Sequence, residues 1–180
     1  AEDDDYSEFG YDIKNAKYDS LAELHQVEGV EDELYCKFAD KLTVYDTFKL
    51  NINTADIEII KALLCEFMVG PTRDMQCGLV NPGLITPIDI VGGYIEMCRK
   101  VKMSMFMLPF PSVTHFTRLL RGLPDPLNKE IVVNTGGLQQ FVDTKSKILR
   151  IKSWGQFGRT EAHLESVYDT SRHNFVYWKE

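Results

Sequence analysis

The chain has 180 residues with a net charge of −7 and a pI near 5.1. Its 44% apolar and 11% aromatic content is that of a folded protein and excludes a disordered one, while the acidic balance repels phosphate backbones and makes nucleic acid a poor partner. No apolar run reaches the roughly 18 residues a membrane span needs; the most apolar stretch, Met103 to Pro111, is short and broken by proline.

Residues 1–19 read as an irregular acidic and aromatic lead-in. Ser20 and Glu23 have capping-box spacing, with Leu21, Leu24 and Val27 on one helical face after them. Gly29 ends this short helix, and a second is expected with Leu34, Phe38 and Leu42 on its inner face. Helix, glycine turn, helix is the outline of a helix-hairpin-helix or SAM-like unit. The phosphate-binding form of that hairpin uses backbone N–H groups beside two glycines. Here one glycine is missing, and Glu28, Glu31 and Asp32 would face the phosphates.

Residues 43–46 and 48–51 read as extended connections into Leu50-Asn51-Ile52-Asn53-Thr54-Ala55. Asn51, Asn53 and Thr54 form a helix-entry device, and Asn53 or Thr54 is expected to cap the third helix. That helix carries Ile57, Ile60, Leu64 and Met68 at spacings of three and four. Residues 70–85, rich in glycine and proline, read as a loop containing Cys77. Thr86-Pro87 is an N-cap followed by proline at the first helical position, with Ile88, Val91, Ile95 and Cys98 inward. Ser112 caps a fifth helix bearing Val113, Phe116, Leu119 and Leu120, and Gly122 stops it.

The period then changes. Ile131–Val133, Leu149–Lys152, Leu164–Tyr168 and Phe175–Trp178 read as short strands, with Gly155, Gly158 and residues 169–174 as turns. Helices first and an antiparallel sheet after make an α+β chain, divided into a mainly helical domain (residues 1–126) and a strand-rich region (residues 127–180).

Catalytic chemistry is sparse. There is no phosphate-binding glycine loop; Gly92-Gly93 reads as a close helix contact and Gly136-Gly137 as a turn. His25, His115, His163 and His173 are scattered singly, and no Lys/Arg cluster stands out. An enzyme is not expected. Cys36, Cys65, Cys77 and Cys98 lack zinc-site spacing; they read equally as two disulfides or as four small buried hydrophobes. No motif requires a cofactor. A structural calcium ion is the metal the composition permits, with Asp3, Asp4 and Asp5 supplying a few of its six to eight oxygens. The start has neither a positive n-region nor an apolar h-region, so the chain is expected to be cytosolic, or a mature or trimmed exported protein.

The motifs, taken in order, resemble a known family. Residues 14–24 (Lys14 to Leu24), Val27-Glu28-Gly29-Val30, Leu42-Thr43-Val44-Tyr45, Leu50 to Ala55, Pro109 to Phe116, Leu149 to Gly155 and Tyr177-Trp178-Lys179-Glu180 are similar to the periplasmic region of the type II secretion system minor pseudopilin K. The resemblance implies a pilin-like domain carrying a large inserted helical domain, without catalysis. It implies a place at the tip of the pseudopilus beside the I and J minor pseudopilins, with no nucleic acid and no membrane contact by this stretch. The family's membrane helix is not seen in the sequence, although the full-length family protein is anchored in the inner membrane. Some members bind calcium, but no ligand position carries over residue by residue. A periplasmic location implies disulfides, with one bridge expected among Cys65, Cys77 and Cys98 and with Cys36 as a further candidate. The competing reading is a helix-hairpin-helix nucleic-acid module of the competence-receptor type, which also carries an Asn-x-Asn-Thr-Ala helix entry.

Overall fold

The computed structural model describes residues 16–45, 49–80, 83–124, 127 and 131–180, in two compact units, Ala1–Asp46 and Thr47–Glu180. The acidic start with Asp3, Asp4 and Asp5, the expected calcium ligands, lies outside the described residues.

In the first unit a 3-10 helix, Leu21–Gln26, begins as expected. The Ser20 hydroxyl accepts from Ala22 N–H, and the Glu23 carboxylate accepts from Ser20 N–H. Gly29 turns the chain at φ +82°, a value glycine adopts without steric cost. Helix α1, Asp32–Phe38, follows. Its expected inner face is not inside: Leu34, Phe38 and Leu42 are all exposed, and neither helix of this unit holds a buried residue. Two helices of six and seven residues present too little apolar area to enclose one another.

The second unit has a core drawn from both sides of residue 126. Ile52, Ile60, Leu64, Val91, Ile95, Phe110 and Phe116 pack with Ile131, Leu138 and Val142, each at 3% exposure or less. Helices α2 (Ile57–Glu66) and α4 (Pro87–Ser104) pack against each other. A Cβ on the buried Gly92 would stand 3.0 Å from Lys61 Cδ, so the expected close helix contact is there. The stretch expected as loop after Gly70 contains a one-turn helix, α3 (Arg73–Gln76). Helix α5 (Val113–Arg121) starts on the Ser112 cap, which accepts from His115 N–H. Gly136 and Gly137 lie in a one-turn helix, α6 (Thr135–Leu138), rather than in a simple turn.

Strands β1 (Leu50–Asn51) and β2 (Val142–Asp143) form a short parallel pair. Ile131–Val133 is not a strand. Val133 makes an isolated bridge to Met68, and Val132 accepts from Val69 N–H. β-Branched residues give that stretch a strand signal, but only this bridge receives them. Strands β3 (Ile148–Phe157), β4 (Thr160–Asp169) and β5 (Asn174–Lys179) form an antiparallel sheet in that order. Gly155 pairs with Ala162 inside β3 instead of turning the chain; Gly158, at φ +61°, makes the turn. Helices followed by this antiparallel sheet make the fold α+β.

Candidate functional site

The Asn51–Ala55 segment is held by side-chain hydrogen bonds to several distant segments of the second unit. Asn53 is 7% exposed. Its Oδ1 accepts from Phe110 N–H at 2.8 Å, and its Nδ2 donates to the carbonyls of Phe110 and Thr144, each at 3.0 Å. Asn51 Oδ1 accepts from Asn53 N–H, and Asn51 Nδ2 donates to Ser146 Oγ at 2.8 Å. The Arg99 guanidinium, on α4, donates to the carbonyls of Ile52 and Ala55. Burial pushes the Arg99 pKa below its ordinary value, yet a guanidinium stays charged at any physiological pH. Three segments distant in sequence are thus held on one loop. The expected cap is elsewhere: the N-cap of α2 is Asp56, whose carboxylate accepts from Glu58 N–H at 2.8 Å, not Asn53 or Thr54. Thr54 is exposed, its N–H closing a turn onto the Asn51 carbonyl. The amides are spent inward on other segments, so the α2 cap falls to the next carboxylate.

At the start of α4, Asp89 accepts from the N–H and hydroxyl of Thr86, each at 2.8 Å, and from Lys61 Nζ at 2.7 Å. Lys61 also meets Glu58 at 2.7 Å. Burial acts to lower the Lys61 pKa, but its bonds to Asp89 and Glu58 outweigh that and raise it. The Lys61 bond, then the two Thr86 bonds, lower the Asp89 pKa from 3.8 to about 2. A carboxylate with a depressed folded pKa stabilises the fold above its unfolded pKa and loses that contribution as pH falls through the folded value. Allowing for solvent screening of a carboxylate 35% exposed, Asp89→Asn should cost on the order of 1 kcal/mol at pH 7. The gap to wild type should close between about pH 4 and pH 2. Urea unfolding at several pH values measures it, and a gap unchanged at pH 2 would rule out the ionised carboxylate as its source.

Of the four cysteines, Cys65 and Cys77 are joined in a disulfide, their Cα atoms 6.0 Å apart. Cys98 is half-buried against the core and Cys36 is exposed on α1; both are free thiols. The expected single bridge among three candidates is therefore Cys65–Cys77.

The four histidines make separate contacts. His25 stacks on Tyr35 near Asp32, His115 lies beside Phe110, His163 pairs with Glu161, and His173 sits in the β4–β5 turn. No group of three or more His, Cys, Asp or Glu residues among the described ones could hold a metal ion. No helix among them is long and apolar enough to cross a membrane.

The surface with the most to offer is the three-stranded sheet. Register puts Leu149, Ile151, Leu164, Tyr168, Phe175 and Trp178 on one face. Phe175 meets Tyr168 and Trp178 edge-on, with ring centres 5.1 and 5.4 Å apart. Leu149, Ile151, Phe175 and Trp178 are exposed. On the other face Arg150, Lys152, Trp154 and Gln156 line up along β3, and Arg150 pairs with Glu165 across the strands. A shallow cavity of about 380 Å³ on this side is lined by Lys152, Trp154, His163, Glu165 and Lys179, among others.

One local signal in the sequence runs against the expectation that no basic cluster exists. Between Thr144 and Thr160 lie Lys145, Lys147, Arg150, Lys152 and Arg159 with no acidic residue among them. In a chain of net charge −7 that is a local reversal of sign. Whole-chain charge hides it. Compared with known proteins, the chain matches no family model, no curated protein and no solved structure.

Proposed function

We propose that this chain is the periplasmic region of a type II secretion system minor pseudopilin K: a non-catalytic subunit that gives shape and surface to the pseudopilus tip. The observation that carries the reading is the ordered set of motifs from Lys14 to Glu180. What supports it in the fold is that two motifs of the second unit serve packing and two others build one exposed sheet. The Leu50–Ala55 stretch is a hub of inward hydrogen bonds, the stretch from Pro109 holds the buried Phe110, and the last two motifs are strands of one sheet. In this reading the helical region is a SAM-like insertion and the C-terminal sheet belongs to a pilin-like domain. The partners are the I and J minor pseudopilins, and the compartment is the periplasm, with the full-length protein anchored in the inner membrane.

Affinity-tagged chain expressed in the periplasm of a cell with an active type II system should co-purify the I and J minor pseudopilins in comparable amounts. Their absence, with the chain soluble and folded, would sink the reading.

The second reading, a nucleic-acid-binding hairpin, is favoured by the helix–Gly29–helix geometry. Against it, Glu28, Glu31 and Asp32 crowd the turn. We expect no hairpin-dependent shift of duplex or single-stranded DNA at physiological salt, since non-specific affinity needs several Lys or Arg contacts that release counterions and this turn offers carboxylates instead. Micromolar binding with a steep salt dependence would instead select the competence-type module.

A further inference from the structure

Among the described residues β3 pairs only with β4, and its outer edge of ten residues is unpaired. A bare strand edge offers a row of N–H and C=O groups that only another strand satisfies in full. Two further features define that strand. Arg150, Lys152 and Trp154 point to one face, while Leu149, Ile151 and Phe157 point to the other. Lys145, Lys147, Lys152 and Arg159 form no ion pair among the described residues, whereas Arg150 turns inward to Glu165. Of these only Lys152 lies within β3, on the Arg150 face, while Lys145 and Lys147 precede the strand and Arg159 follows it in the turn. An added strand would therefore run through a net positive margin, its alternate side chains beside Lys152 and beside Leu149, Ile151 and Phe157. Trp154 at 76% and Phe157 at 91% exposure stand at the hairpin end of the same edge, open to such a neighbour.

We propose that the outer edge of β3 takes an acidic β-strand of a partner protein, one that alternates carboxylate and apolar side chains. A second copy of this chain fits less well. It would bring its own run of five basic residues and no acidic ones against this one, and like charges across a strand pair repel. The inference rests on the edge and its charge, and does not depend on the secretion-system reading.

The test uses a fluorescently labelled eight-residue peptide alternating glutamate and valine, titrated with the whole chain and followed by anisotropy. Controls are the lysine–valine counterpart and a glutamate–valine peptide N-methylated along its backbone. Expected are saturable binding of the first and none of the controls. Lys147→Glu with Lys152→Glu, both at exposed positions, should weaken it about tenfold, with circular dichroism confirming an unchanged fold. Any of four results overturns the proposal. These are no binding of the glutamate–valine peptide, equal binding of the lysine peptide, equal binding of the N-methylated peptide, or a chain that self-associates through this edge in sedimentation. The first would mean that the basic residues only guard the edge against aggregation. The third would mean charge attraction without strand pairing.

Discussion

Asn53→Ala should be among the most damaging single substitutions in this chain, lowering stability by about 3–4 kcal/mol. The side chain is buried and makes three hydrogen bonds to main-chain groups, two to Phe110 and one to Thr144. Alanine removes all three and leaves a buried N–H and two carbonyls seeking partners. Each such orphan costs about 1–3 kcal/mol, with some relief where water can enter. A helix cap, by contrast, is worth about 1 kcal/mol, so the size of the loss distinguishes the two roles. Asn53→Asp sharpens the test. Aspartate keeps the acceptor for Phe110 N–H but turns an anionic oxygen toward the two carbonyls, so it should be at least as damaging as alanine. A true N-cap would tolerate aspartate as well as asparagine. Thermal unfolding should show both variants melting roughly 6–16 °C below wild type. An aspartate variant close to wild type would show that the amide donor is not what holds these segments.

This residue also marks where the sequence stops being legible. Positions governed by neighbours within one turn are readable: Ser20 and Glu23 in their capping box, Thr86 before Pro87, Ser112 before α5, and the alternation in β3 to β5. Their partners lie a few residues away or repeat with a fixed period. Asn53 stands out in the sequence as a short polar side chain in an apolar setting, but its partners are 57 and 91 residues distant. Nothing local reveals them, and the nearest local explanation, a cap, is wrong. The same limit explains Ile131–Val133, where strand-forming residues meet no strand. It explains Leu34 and Phe38 as well, whose helical spacing is sound but which lie in a unit too small to bury them. The sheet edge differs. Its run of basic residues is visible in the sequence, and only the bounds and register of β3 show that Arg150 and Lys152 lie in a strand with an open edge while Lys145, Lys147 and Arg159 flank it.

Breaking the disulfide should cost nearly as much as losing Asn53, by a different route. Cys65 and Cys77 are separated by 12 residues, and opening a loop of that length restores unfolded-chain freedom worth about 3 kcal/mol. The loop holds Gly70, Pro71 and the one-turn helix α3, with little burial of its own beyond Met68 and Gln76. A four-residue helix cannot hold itself together in water, so the bridge ties this excursion to the end of α2. The double variant Cys65→Ser with Cys77→Ser should therefore unfold at lower urea, with its first protease cuts inside residues 69–77. Thiol counting on denatured, unreduced protein from the native compartment should find two free thiols, Cys36 and Cys98, rising to four after reduction. Four thiols before reduction would mean that the bridge does not form there, and would weigh against an oxidising periplasm as the compartment. If the bridge forms but the double variant is as stable as wild type, the loop is held by packing alone, and the disulfide is only a mark of the compartment.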